Sequence, residues 1–101
     1  MSTPLRIEIT DEARAQLAAA AAWWAENRPS AFGAVLEDLD RILNLLTVQP
    51  GMGTRARRTT LSGVRRVMLS RIRYYVYYRV AGDALQVLAV WHTSRGRGPS
   101  L

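Results

Sequence analysis

The stretch YYVYYRVAGDALQVLAVWH, residues 74–92, decides the fold. Two runs dominated by tyrosine, valine and other strand formers flank Ala81-Gly82-Asp83, a short turn tripeptide, so the stretch reads as a β-hairpin with strands over 73–80 and 84–92. Successive side chains of a strand point to opposite faces. Tyr74, Val76, Tyr78 and Val80 therefore share one face, and Tyr75, Tyr77 and Arg79 the other. The same alternation separates Leu85, Val87, Ala89 and Trp91 from Gln86, Leu88, Val90 and His92. Both faces are more apolar than a solvated sheet face, so each needs a cover.

Working outward, residues 64–69 read as a further strand, preceded by the loop QPGMGTRARRTTLSG over 49–63. That loop holds three glycines, a proline and three arginines without periodicity, and it is long for so small a domain. Before it, Val35, Leu36, Leu39, Ile42, Leu43 and Leu46 recur at helical steps after Phe32, with Ser30 as a candidate cap and Pro50-Gly51 as the stop. An earlier helix spans 11–27, starting at Thr10 with Asp11 and Glu12 in its first turn and ending before Pro29. Its stripe is Ala13, Leu17, Ala20, Ala21 and Trp24, while Trp23 lies about 100° around the helix from Trp24 and is left outside it. Residues 5–9, LRIEI, alternate as a first strand. The order β-α-α-β-β-β gives an α+β fold, a helix hairpin packed on one face of a mainly antiparallel sheet. Ile7, Leu17, Trp24, Phe32, Leu36, Leu39, Leu43, Val76 and Val87 are the expected core. One domain covers 1–101, with 94–101 as a flexible tail. The helix sequence is then spent, and the second sheet face has no visible cover of its own. An exposed apolar face marks a partner site.

Composition narrows the function. The chain has no cysteine and one histidine, His92, so a disulfide framework and a Cys/His metal site are both excluded, and no cofactor is expected. The start MSTPLRIEIT is no signal peptide, and the longest apolar run falls short of a membrane span, which points to a cytoplasmic protein. All 14 basic residues are arginine. Residues 1–48 carry four of them against seven acids; residues 49–101 carry ten against Asp83 alone. Such a one-sided field favours an anionic partner, nucleic acid or an acidic protein segment. Helix 2, with Glu37, Asp38, Asp40 and a single Arg41, is wrongly charged for a major-groove reader.

In their order and spacing AAAWWAENRPSAFGAVLEDLDRILNLLTVQPGMG, GVRRVML, the hairpin and HTSRGRGP together resemble the RelE/ParE superfamily of toxins of bacterial type II toxin–antitoxin systems, within it the ParE-like branch. The resemblance implies a small basic toxin wrapped and neutralised by a cognate antitoxin with an acidic, apolar tail, in a hetero-oligomer. It also implies one of two targets: DNA gyrase for ParE-like members, or ribosome-bound mRNA, cleaved, for RelE-like ones. Expected exposure assigns antitoxin contact to Trp23, Arg55, Arg57, Arg58, Tyr75, Tyr77 and Arg95, and target contact to Arg65, Arg73, Arg95 and Arg97. An mRNA endonuclease needs a base, an acid and phosphate stabilisation. Arg71 and Arg79 supply charge, but arginine stays protonated, and His92 is the one side chain of a type that ordinarily titrates near neutrality. Tyrosine, titrating ordinarily near about 10, is a poor base unaided. The set His92, Arg79, Arg71 is thin, which favours the gyrase reading without chemistry of its own. A non-toxic nucleic-acid-binding domain is the third alternative.

Overall fold

The structure is a computed structural model that describes residues 3–31 and 33–101. Its elements follow the expected order: β1 (Arg6–Ile9), α1 (Asp11–Asn27), α2 (Ala34–Val48), β2 (Thr54–Arg55), β3 (Arg65–Leu69), β4 (Tyr74–Ala81) and β5 (Ala84–His92), with one-turn 3-10 helices at Pro29–Ala31 and Pro50–Met52. The five strands form one sheet in the order β1-β5-β4-β3-β2. Only the β1–β5 pair is parallel. The loop expected over 49–63 is thus partly built: Thr54 and Arg55 pair with Arg66 and Arg65 as a short edge strand.

Local chemistry explains most boundaries. Thr10 caps α1, its hydroxyl accepting from the Ala13 N–H at 3.2 Å. α2 begins later than Ser30 predicts, because Pro29–Ala31 forms a 3-10 turn and Gly33 takes the N-cap position. β5 outruns its neighbour β1, and Gln16 of α1 fills the gap by accepting the Val90 N–H at 2.7 Å. Arg73, expected in a strand, instead closes the β3–β4 turn at φ +64°, a left-handed conformation uncommon for a residue with a side chain.

The helices cover one face of the sheet. Ala13 and Ala20 of α1 and Val35, Leu39, Ile42 and Leu46 of α2 pack against Leu69, Val76, Tyr78, Leu85 and Val87. Leu39, Leu43, Val76 and Val87 are buried as expected, and Leu17 and Trp24 are half-buried against the same core. Two core expectations are corrected. Leu36 is 58% exposed, lying about 100° from Val35 at the flank of the α2 stripe, near the end of the helix. Ile7 is 43% exposed on an edge strand with a neighbour on one side only. Phe32 lies outside the described residues.

The face assignment of β5 is corrected at a β-bulge. Tyr78 pairs with Val87 but Tyr77 pairs with Ala89, so Leu88 is an extra residue that reverses the alternation beyond it. Ala89 and Trp91 therefore join Tyr77 and Tyr75 on the second face, while Val90 and His92 turn to the helix side with Val76 and Tyr74. The expected bare second face is corrected too. Val64, Tyr77, Leu88 and Ala89 are buried there beneath Ala56, Leu61 and Leu101, a cover made from the arginine loop and the chain's last residues. Those last residues, expected to be flexible, lie against the sheet. The Leu101 backbone oxygen accepts from the Thr60 and Leu61 N–H groups, and the Trp91 indole donates to the Arg97 carbonyl at 2.8 Å.

Candidate functional site: two arginine–aromatic surfaces

The second face of the sheet carries the first surface. Tyr75 and Tyr77 alternate out of β4 and meet edge to face, ring centroids 6.2 Å apart. Arg66 of β3 lies 4.2 Å over the Tyr75 ring and donates to the Tyr77 hydroxyl at 3.3 Å. Along the same face Arg95 lies 4.0 Å over Trp91. Guanidinium on aromatic face is an attractive, partly desolvated pairing that leaves the N–H fork free at its rim. Arg55, Arg57, Arg66 and Tyr77 line a cavity of about 250 Å³ beside Pro99. Arg58, at φ +60°, sits at the bend of the loop, which encloses a further 630 Å³ hollow.

The loop is held at its root. The Tyr78 hydroxyl accepts from the Gly53 N–H at 3.0 Å and donates to the Pro50 carbonyl at 2.7 Å. Arg65 donates to the Gly53 carbonyl at 2.7 Å. Burial raises the Tyr78 pKa, against the smaller opposing effects of the Gly53 N–H and Arg65.

The second surface is an open groove of about 630 Å³ where the end of α1 meets the β3–β4 turn and the end of β5. Trp23, 49% exposed, and Trp24 form one wall, Tyr74 and His92 the floor, and Arg28 and Arg73 the rim. Trp23 and Trp24 contact edge to face at 5.8 Å, as do Tyr74 and His92 at 4.9 Å. Burial raises the Tyr74 pKa, with Arg95 opposing. His92 is tied locally: its Nδ1 accepts the Ser94 N–H at 3.0 Å and lies 2.6 Å from the Ser94 hydroxyl. An acceptor nitrogen holds no proton, so the neutral ring presents N–H at Nε2.

Charge pairing is sparse. Among the described residues, Arg71 is the one of the ten arginines in 49–101 that forms an ion pair, with Glu37 at 3.0 Å on the surface. The remaining pairs tie Arg6 to Glu8 and Asp83, and Arg41 to the buried Asp38.

The expected site residues separate accordingly. Arg55, Arg57, Tyr75, Tyr77 and Arg95 come together at the second face, with Arg58 on the adjoining loop; Trp23 stands apart in the groove. Tyr77, chosen for exposure, is only 5% exposed beneath the loop and last residues. His92 and Arg71 share the groove, but Arg79 lies on the opposite face, donating to Gln86 at 2.9 Å. The residues assigned to a target scatter: Arg73 in the groove, Arg95 and Arg97 beside Trp91, Arg65 at the loop root. Sequence reasoning missed Arg66, Trp91, Trp24 and Arg28. Arg66 was legible only once β3 was registered against β4, and Trp91 only once the bulge was placed.

Comparison with known proteins bears on the fold and the family. No curated protein sequence matches the chain. Among solved structures, the fold is shared with a chain of the chromosomal ParDE toxin–antitoxin system of P. aeruginosa, at 22% identity and a TM-score of 0.75, covering 92% of this chain and all of that one. It is shared too with a chain of the toxin–antitoxin complex RelBE2 of Mycobacterium tuberculosis, at 23% identity and a TM-score of 0.58, covering 89% of this chain and 99% of that one. The family described as ParE toxin of the type II toxin–antitoxin system parDE matches residues 7–96. By that match, over nearly its whole length, the chain belongs to the ParE toxin family.

Proposed function

We propose that this ParE-family toxin inhibits DNA gyrase and is neutralised by a cognate antitoxin whose acidic, apolar tail docks on the arginine-rich second face. The observation that carries the reading is the unsatisfied charge there: among the described residues Arg55, Arg57, Arg58, Arg66 and Arg95 have no carboxylate partner, and Arg66 and Arg95 lie over the Tyr75 and Trp91 rings. Carboxylates supply the missing partners, and apolar side chains pack on Tyr75 and Trp91, the half-buried rings of that face. A disordered acidic segment that folds on binding suits such a surface.

The absence of a convincing base supports a toxin that works by binding. His92 uses its Nδ1 lone pair on Ser94, and Tyr74 and Tyr78 are both shifted away from ionisation. Expression without an antitoxin should stop growth, and purified protein should trap gyrase on cleaved DNA. Gyrase that supercoils normally at excess protein refutes the target assignment.

The meeting of His92, Arg71 and Arg73 in one groove is the observation that favours the second reading, ribosome-dependent mRNA cleavage. In that case ribosome-bound message is cut, and His92→Ala loses most of the rate.

A further inference from the structure

The sheet has two edges. β2 contributes two residues to one of them; β1, with four, is the longer edge and pairs with β5 alone. Arg6 and Thr10 donate from their backbone toward β5, to the Asp83 and Val87 carbonyls at 2.9 and 3.1 Å. Alternation along the strand turns the N–H and C=O groups of Ile7 and Ile9 the other way, out of the sheet. The Ile7 side chain stands at the same rim, 43% exposed beside its buried neighbour Leu85. An unpaired edge is a template for another strand, and charged side chains ordinarily blunt it. The charges of β1 do not repel a second copy; they match it. From this we propose that two copies of the chain pair antiparallel along β1, about a two-fold axis at Ile7, and so join their sheets into one.

The sequence fixes the register. Residues opposite one another in an antiparallel pair either both exchange hydrogen bonds or both do not, so the axis passes through a residue and never between two. Placed at Ile7, it sets Leu5 opposite Ile9, Arg6 opposite Glu8, and Ile7 opposite its own counterpart. LRIEI is therefore complementary to itself: apolar side chains meet on one face, and cation meets anion on the other. Ile7 exchanges both of its outward bonds with the second copy, and Ile9 donates to the Leu5 carbonyl. Leu5 keeps its own N–H on the Thr47 carbonyl at 3.0 Å, so the backbone contact ends there. Moved one step either way, the axis opposes Arg6 to Arg6 or Glu8 to Glu8, and like charges directly opposite are destabilising. Moved to Ile9, it runs Ile7 against Asp11, where α1 has already begun.

Arg6 is available to a second chain. It holds Glu8 and Asp83 of its own chain at 3.0 Å, but these are exposed pairs, which contribute little and exchange readily. A guanidinium carries five N–H donors, enough to keep Asp83 while turning to Glu8 of the second copy. Symmetry names the occupant. A foreign strand fits this edge only if it carries the same alternation of charge, whereas a second copy carries it by construction, and the two-fold repeats every favourable pair.

The test is sedimentation equilibrium of the purified full chain from about 5 to about 500 μM, a range suited to a contact of small area. The parent should pass from monomer to dimer across it. Ile7→Pro removes the outward N–H at the axis and no bond to β5. An edge strand accepts proline on its solvent side, so this variant should raise the dissociation constant at least tenfold with a melting temperature near the parent's. Arg6→Glu and Glu8→Arg each set like charges opposite one another on both sides of the axis and should do the same. An equimolar mixture of those two variants regains opposite charges at both positions and should recover the dimer. Ile7→Pro and Glu8→Arg keep the test decisive should Arg6→Glu, which meets Asp83 in its own chain, unfold. A parent that stays monomeric throughout, a dimer unchanged in Ile7→Pro, or a mixture no more associated than its components overturns the proposal. A monomeric parent whose cognate antitoxin is released by Ile7→Pro gives the edge to that protein and overturns it too. Neither gyrase nor growth enters these readouts, so the pairing stands or falls apart from the toxin reading.

Discussion

Tyr78 links the core to the arginine loop through one hydroxyl. Its ring is fully buried under the helices, while its oxygen joins Gly53 and Pro50 across the sheet edge. Tyr78→Phe strands a buried N–H and a carbonyl, a loss of about 1–3 kcal/mol that urea denaturation should report. Gly53→Ala acts on the same latch from the other side. A Cβ there would stand 2.8 Å from the Arg66 carbonyl and closer still to the Tyr78 hydroxyl, overpacking that costs about 1–3 kcal/mol. The latch has a pH signature as well. Because burial holds the phenol neutral, its folded pKa is above the unfolded value of about 10. The native state then binds more protons than the unfolded state above that pH, so the contribution is complete below about pH 10 and disappears as pH rises through the folded pKa. Melting temperature followed from pH 8 to 11 should fall less steeply in Tyr78→Phe; an identical slope would show that other groups, such as Tyr74, govern the alkaline limb.

At the scale of elements, what the sequence disclosed depended on whether an element's partners were local. Helical periodicity is internal to a segment, so α1, α2 and most of their buried stripes were readable, as was the strand alternation of β4. Register between strands is not internal. Nothing in ALQVLAVWH marks Leu88 as the bulged residue, because leucine, alanine and valine fit either face. A single unpaired residue moved Ala89 and Trp91 to the arginine-bearing face and His92 to the groove, and so redrew both candidate surfaces. Arg58 and Arg73 at positive φ were equally unreadable, since arginine carries no preference for that conformation. The α2 stripe was legible in its centre and misread at its flank. Leu39→Ala should therefore cost about 2–5 kcal/mol by leaving a cavity against the sheet, whereas Leu36→Gln should lie within about 0.5 kcal/mol of the parent. Paired thermal melts decide it: comparable losses would place Leu36 in a contact it does not make here.

For the molecule as a whole, the two halves of the sequence become two sides in space. The acid-bearing helices occupy one layer, and the loop, β3 and residues 93–101 carry seven of the ten arginines of the second half, most of them around the opposite face. Since so few of these charges pair among the described residues, the field extends into solvent and acts on a partner before contact. An acidic antitoxin tail should be drawn in by that field and then held by short-range contacts with Tyr75, Trp91 and the cluster beneath them. The two effects separate kinetically, because long-range charge governs association while buried contacts govern release. Replacing Arg55, Arg57 and Arg58 together by glutamate should slow association with the cognate antitoxin by about tenfold or more at 50 mM salt, with a much smaller change in dissociation. Raising the salt to 0.5 M shortens the screening length to less than half its value near 0.1 M, so the parent's association should slow toward the variant's. Tyr75→Ala should do the reverse, leaving association near the parent's and speeding release. If the triple glutamate variant associates as fast as the parent at low salt, the loop arginines do not steer the partner, and the acidic tail approaches from elsewhere.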